Sequence, residues 1–319
     1  MSTAACLLLY AITFAGLAPP LLTRLTRSGA DPRLAVAVWL TAIGSVTGSV
    51  AAAATLLGAE LFRDWSRPRP TVMAACLAWL RTAATGAYGP MARTVVFTLA
   101  GWATLATILL LFRLGRTWAR ARRSTLTHAG MVRLAGVPHP DLGAVVLDVP
   151  DRAVYCVAGR QNTIVFTTGA LAALDPTQLG AVLAHERAHL SGRHHLLLAL
   201  TRGLHTCLPC VELFTRAAAE VARLLEMCAD DTAVRTHGRG PLLTALVDLS
   251  GASHARIPIP TAGLAASGVD VLARAERLAT PAGSEVRLRA RVRLAAALTG
   301  FTAAPLVVGA LAVCGPLLG

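Results

Sequence analysis

The chain contains no lysine, so all 30 of its basic residues are arginine, a compositional habit that carries no mechanism of its own. Acidic residues are scarce, 17 in 319, and charged residues of both signs make up only 15%. With 55% hydrophobic residues and a mean hydropathy of +0.58, so thin a charged complement excludes an ordinary soluble domain of this size and points to a membrane protein. No basic stretch precedes the first apolar run, which argues against residues 1–22 being a cleaved signal peptide. The seven cysteines are scattered and several fall in apolar runs, so no disulfide framework is expected. Cys207-Leu208-Pro209-Cys210 has the spacing of a redox pair or metal knuckle, but nothing that would accompany either is present, and buried apolar thiols on a helix are the better reading. Base-reading motifs are also missing. The net charge of +13 therefore points to lipid headgroups and insertion rules rather than to nucleic acid, because the densest arginine clusters flank apolar runs.

Four such runs, at 4–22, 34–59, 94–112 and 294–319, each have roughly the 20 residues that cross a bilayer. Arg113, Arg116, Arg120, Arg122 and Arg123 follow the third, and Arg287, Arg289, Arg291 and Arg293 precede the fourth. The positive-inside rule then puts 113–293 in the cytoplasm and both termini outside. Arg24, Arg27 and Arg33 of the first loop agree, whereas the arginines of loop 60–93 agree less well. The expected fold is a mostly α membrane protein of four transmembrane helices, with an α+β domain inserted between spans three and four. Its divisions are a membrane domain at 1–112, a cytoplasmic domain at 113–293 and a last span at 294–319. Residues 195–214 are long enough for a further span, but Arg202, His205 and Glu212 would be expensive at membrane depth. A helix packed against the bundle is the better expectation there.

The richest stretch is His185-Glu186-Arg187-Ala188-His189. On a helix, residues i and i+4 share a face, so both imidazoles can reach one zinc ion while the adjacent Glu186 leans toward its open position as general base. The helix is written around the motif: Asp175 can cap it, Pro176 sits at the first turn, Gln178 can reach back to the cap, and Gly192 can end it. Two histidines do not suffice for a catalytic zinc, so a third ligand should come from a later helix, and 217–236 has helical periodicity. Glu226 and Asp230 fall on one face of it. One could bind metal while the other holds a ligating imidazole by its second nitrogen, or both could belong to a solvated acidic face with Glu220 and Asp231.

Upstream, 153–158 and 163–168 read as two strands joined by Gly159–Asn162. An edge strand beside a metal helix can hold an extended peptide by its backbone, so Asn162, Ile164 and Phe166 are the candidate substrate contacts; a purely structural hairpin is an equal alternative.

H-E-R-A-H at 185–189 followed by E-M-C-A-D at 226–230, set among apolar runs, resembles the membrane metallopeptidases of the BlaR/MecR antibiotic sensor-transducer type, with a more distant likeness to the HtpX and CaaX-prenyl protease group. The resemblance implies His185, His189 and Glu226 as Zn²⁺ ligands, Glu186 as general base and Asp230 as a supporting carboxylate. It also implies a role for His194, which stands where the related groups often carry Asp or His. The sensor-transducers continue into an extracellular penicillin-binding domain whereas this sequence stops at Gly319, so direct β-lactam sensing is not expected. What the resemblance leaves is a membrane-anchored cytosolic endopeptidase, with membrane lipid around it and a protein substrate such as a winged-helix repressor of the penicillinase-repressor type. Tyr155, Arg235 and His237 are candidate oxyanion donors. Competing readings are a non-proteolytic signalling or scaffold protein that retains a zinc site, and a transporter, for which four spans without central charges offer no substrate path.

Overall fold

A computed structural model describes residues 3–63, 90–159, 162–250 and 268–314, the side chains of 57–63, 90–107, 110–111, 268–270 and 311–314 excepted. Helix α1 (Thr3–Thr26) turns through Gly29, at φ +56°, into α2 (Pro32–Arg63), whose start is fixed by Asp31 accepting from the Leu34 backbone N–H at 3.2 Å. Helix α3 (Pro90–Ala135) leads into a four-stranded sheet, β1 (Val137–His139), β2 (Ala144–Leu147), β3 (Val154–Val157) and β4 (Thr163–Thr167). Then come α4 (Thr168–Ala173), α5 (Pro176–Ser191), α6 (His194–Cys207), α7 (Glu212–His237), α8 (Arg239–Ser250), α9 (Gly268–Ala279) and α10 (Ser284–Cys314).

Among the described residues, three helical stretches are long and apolar enough to cross a membrane: Thr3–Thr26, Pro32–Leu56 and Ser284–Ala310. The expected count was four. The run at 94–112 lies on α3, largely on residues whose side chains fall outside the described set, and 315–319 of the last run falls outside it as well. Leu9, Ile12, Leu17 and Leu21 of α1 and Leu306 and Val307 of α10 face outward, as side chains in contact with lipid would. The ambiguous segment 195–214 is broken in two. Its first part is α6, a 14-residue helix of about 21 Å, too short to span, and its second part opens α7. Cys207 ends α6 half-buried and Cys210 is exposed in the turn beyond it, so the expected pair of buried helical thiols is not found.

Two cores position the site. In the first, Leu22 of α1, Val38, Trp39 and Ala42 of α2, and Leu294 and Phe301 of α10 close around Leu213, Ala217, Val221, Leu224 and Leu225 of α7. The helix expected to carry the third metal ligand is thus packed into the apolar bundle along its first half. In the second, Ile164 and Phe166 of β4 pack on Val182 and Leu183 of α5, while Val165 on the opposite face of the same strand packs with Val157, Ala129 and Val132. The period-2 alternation of β4 thereby places the sheet between α3 and α5.

The sheet order is β1-β2-β4-β3, with β2 parallel to β4 and the other pairs antiparallel. The hairpin expected from the sequence is present, with Tyr155 opposite Val165 and Cys156 opposite Ile164. Its second strand is interior, however. Val165 of β4 also pairs with Val145 of β2, and Ile164 and Phe166 are buried against α5. These two side chains therefore form core and not a peptide-binding edge, and among the described residues the edge strand beside α5 is β3. Asn162 lies exposed at the start of β4.

Candidate metal centre

The helix that carries the motif is defined at both ends by its own sequence. Asp175 Oδ1 accepts from the Thr177 and Gln178 backbone N–H groups at 2.7 and 2.9 Å, and Gln178 Oε1 accepts from the Asp175 N–H at 2.8 Å, closing a capping box behind Pro176. At the other end Gly192 is the cap, but the left-handed residue is Arg193, at φ 50°. That turn brings His194, the first residue of α6, back over Gly192 and onto the end of the motif helix, where His194 Nδ1 lies 2.9 Å from His189 Nδ1.

His185 and His189 are both buried, with Nε2 atoms 3.1 Å apart. Glu226 reaches them from α7: Oε2 lies 3.5 Å from His185 Nε2 and Oε1 lies 3.4 Å from His189 Nε2. One turn on, Asp230 Oδ1 lies 3.0 Å from His185 Nδ1. Each imidazole therefore has a neighbour at Nδ1: Asp230 lies within ion-pair distance of His185, outside hydrogen-bond geometry, and His194 pairs with His189, while both Nε2 atoms are directed at the space they share with Glu226. The ligand atoms of His185, His189 and Glu226 all lie within 4.8 Å of one another, the one such group among the described residues. Glu226 Oε1 is buried and accepts no hydrogen bond, an expensive condition for a carboxylate oxygen unless a cation completes it.

Residues 119–208 match the model of Peptidase family M48. That match indicates a metallopeptidase. It takes in His185, Glu186, His189 and His194 and stops before Glu226 and Asp230, which join the site only through the packing of α7 on α5. No solved structure matches the chain.

Electrostatics in the site are set by burial and by one arginine. Burial works to lower the His185 imidazole, but the Asp230 and Glu226 carboxylates outweigh it and hold it up at about 9. His189 and His194, without comparable partners, are pushed down by burial to about 3 and about 4. Burial raises the Glu186 carboxyl above the ordinary range. It works the same way on Glu226 and Asp230, yet these are held well below that range by His185 and by Arg274. Arg274, on α9, lies 2.9 Å from Glu226 Oε2 and 2.6 Å from Asp230 Oδ1. Among the described residues, Arg274 is the guanidinium paired with Glu226 and Asp230, and Glu186 adds a third carboxylate nearby, so when these are ionised the donor set fits a divalent cation by charge as well as by ligand type.

Two functional neighbours were not foreseen from the sequence. Arg274 is one; its pairing depends on tertiary packing between distant helices and has no local signature. The other is Cys156, whose thiol is pushed up by burial and by the charge of the neighbouring Glu186 carboxylate. Alternation along β3 places Cys156 and Val154 on the α5 face, a signal that was available. The same alternation turns Tyr155 away: its hydroxyl pairs with His128 Nε2 at 3.2 Å on the α3 side of the sheet. Arg235 and His237 are exposed at the end of α7. None of the three candidate oxyanion donors reaches the histidines by these contacts.

Proposed function

We propose that the chain is a membrane-anchored zinc-dependent endopeptidase acting on a cytosolic protein. The observation that carries the reading is the convergence of His185, His189 and Glu226 at one point, with Glu186 beside them and β3, the edge strand among the described residues, alongside. His185, His189 and Glu226 would hold the metal. Bound there, zinc would supply a Lewis acid and a water whose pKa falls to about 7. Glu186, its carboxyl raised by burial, would accept a proton from that water and return it to a leaving amine. Asp230 beside His185 Nδ1 and His194 on His189 Nδ1 would favour the tautomers that leave Nε2 free for the metal. An extended peptide added at the outer side of β3 would run beside α5, held by backbone hydrogen bonds.

The cytosolic orientation rests on the arginines at 113–123 and 287–293. Contacts support it. The turn between α1 and α2 is tied to the peptidase helices by Arg277 Nε donating to the Gly29 carbonyl at 3.1 Å and by Arg291 to Asp31 at 2.7 Å, so that turn and the metal centre share a side. Helix α2, about 48 Å long, carries the chain away from that side, and α3 is back on it where Leu114 meets Gly203 of α6, as a crossing at 94–112 requires. A repressor of the penicillinase-repressor type as substrate rests on the resemblance to the BlaR/MecR proteins alone.

The test uses full-length protein purified in detergent, wild type and Glu186→Gln, incubated with cytosolic extract and followed by labelling of new N-termini. Wild type should generate chelator-sensitive, zinc-restored cleavages that fall at least about 100-fold in Glu186→Gln. Equal cleavage by the two proteins would refute the peptidase reading, and zinc binding without cleavage by either would favour a signalling scaffold.

A further inference from the structure

Helix α9 delivers Arg274 into the buried centre, where it is 6% exposed. Its three nitrogens are divided between two carboxylates of α7. Nη1 lies 2.9 Å from Glu226 Oε2, Nη2 donates to Asp230 Oδ1 at 2.6 Å, and Nε donates to Asp230 Oδ2 at 2.9 Å. Only a planar fork of donors can grip two carboxylates spaced one helical turn apart in this way. The consequence for Glu226 is asymmetric: Oε2 is taken by the guanidinium, while Oε1, 3.4 Å from His189 Nε2, is left buried without a hydrogen bond. Asp230 Oδ1 is shared between Arg274 and His185 Nδ1. One side chain thus fixes both the third candidate ligand and the group that orients the first. The helix that carries it is itself pinned, because Arg277, one turn further on, donates to Asp231 at 2.8 Å and to the Gly29 carbonyl at 3.1 Å.

We propose that Arg274 is a positioning residue of the metal centre: it clamps Glu226 so that a single oxygen, Oε1, is presented to the ion, and it holds Asp230 on His185. This rests on the metal-centre reading above. A purely structural ion pair would govern stability of the fold and leave the metal's coordination untouched, so coordination is what separates the two roles.

The experiment takes full-length wild type, Arg274→Ala and Arg274→Lys in detergent, strips metal, and measures Zn²⁺ affinity against a chromophoric chelator together with the visible absorption of the Co²⁺ forms. Thermal unfolding in excess chelator shows whether each variant is folded. Arg274→Ala should lose about 10–100-fold in Zn²⁺ affinity, and its Co²⁺ band should weaken as Glu226 Oε2, released, joins the metal and raises its coordination number. Lysine keeps the charge and lacks the fork, so Arg274→Lys should fall between the other two. Should Arg274→Ala fail to fold, the lysine variant decides: intermediate affinity supports the clamp and wild-type affinity overturns it. Wild-type affinity and spectrum in Arg274→Ala would overturn the assignment while leaving the metal centre intact. Wild-type protein that binds neither ion would overturn both.

Discussion

At His185 two opposing effects meet, and their balance sets how the site should respond to pH. Burial disfavours the imidazolium, but Asp230 and Glu226 favour it more strongly and hold the group at about 9, whereas His189 stays neutral down to about 3. A metal needs both imidazoles neutral. Over about pH 5 to 6.5, below the range in which a zinc-bound water would ionise, binding must therefore displace one proton, from His185, and none from His189. Zinc affinity should fall about tenfold for each unit of acidification, a slope of about one in log affinity against pH. Competition titrations across that range check it; a slope of two, or none, would contradict this balance of burial and charge. The pair of histidines and Glu186 were legible in the sequence because their relation is local, one turn of one helix. Glu226 and Asp230 were legible only as a pair sharing a face, since spacing cannot say which surface that face meets. Arg274 was not legible, because its partners are chosen by the docking of α9 on α7.

Helix ends carried more information than strand edges. The capping box at Asp175, Pro176 and Gln178 fixes the start of α5 by local hydrogen bonds, so a sequence reading could locate it. The position of β4 inside the sheet depends on β2, which is short and weakly patterned, and whose parallel pairing joins residues far apart in the chain. That is why Ile164 and Phe166 looked available for substrate and are core. Gly192 shows an element boundary acting on the site. A Cβ there would stand 2.5 Å from His194 Nε2, so the ring that braces His189 would have to move. Gly192→Ala should weaken zinc binding by about tenfold or more through loss of that brace. Chelator competition with a parallel melting curve checks it, and unchanged affinity would remove His194 from its assigned role.

For the whole molecule, hydropathy located the apolar runs because length and composition alone identify candidates for crossing a bilayer. It could not show that α7 shares one core with α1, α2 and α10, which ties the candidate metal centre to the apolar helices through Leu213, Val221 and Leu224. It also left 195–214 open, since a broken helix and a span have similar composition. The topology proposed from the arginine clusters predicts that reporters fused after Arg123 and before Arg287 both register cytoplasm, and one at Gly319 the outside. A cytoplasmic signal at Gly319 would mean that the number of crossings is wrong.

Bound zinc, counted by atomic absorption on protein purified in detergent, decides whether His185, His189 and Glu226 form a metal centre. Wild type and Glu186→Gln should each carry about one zinc per chain, while His185→Ala, His189→Ala and Glu226→Ala should each lose it, because only the latter remove ligand atoms. A full complement of zinc in Glu226→Ala would contradict the three-residue centre.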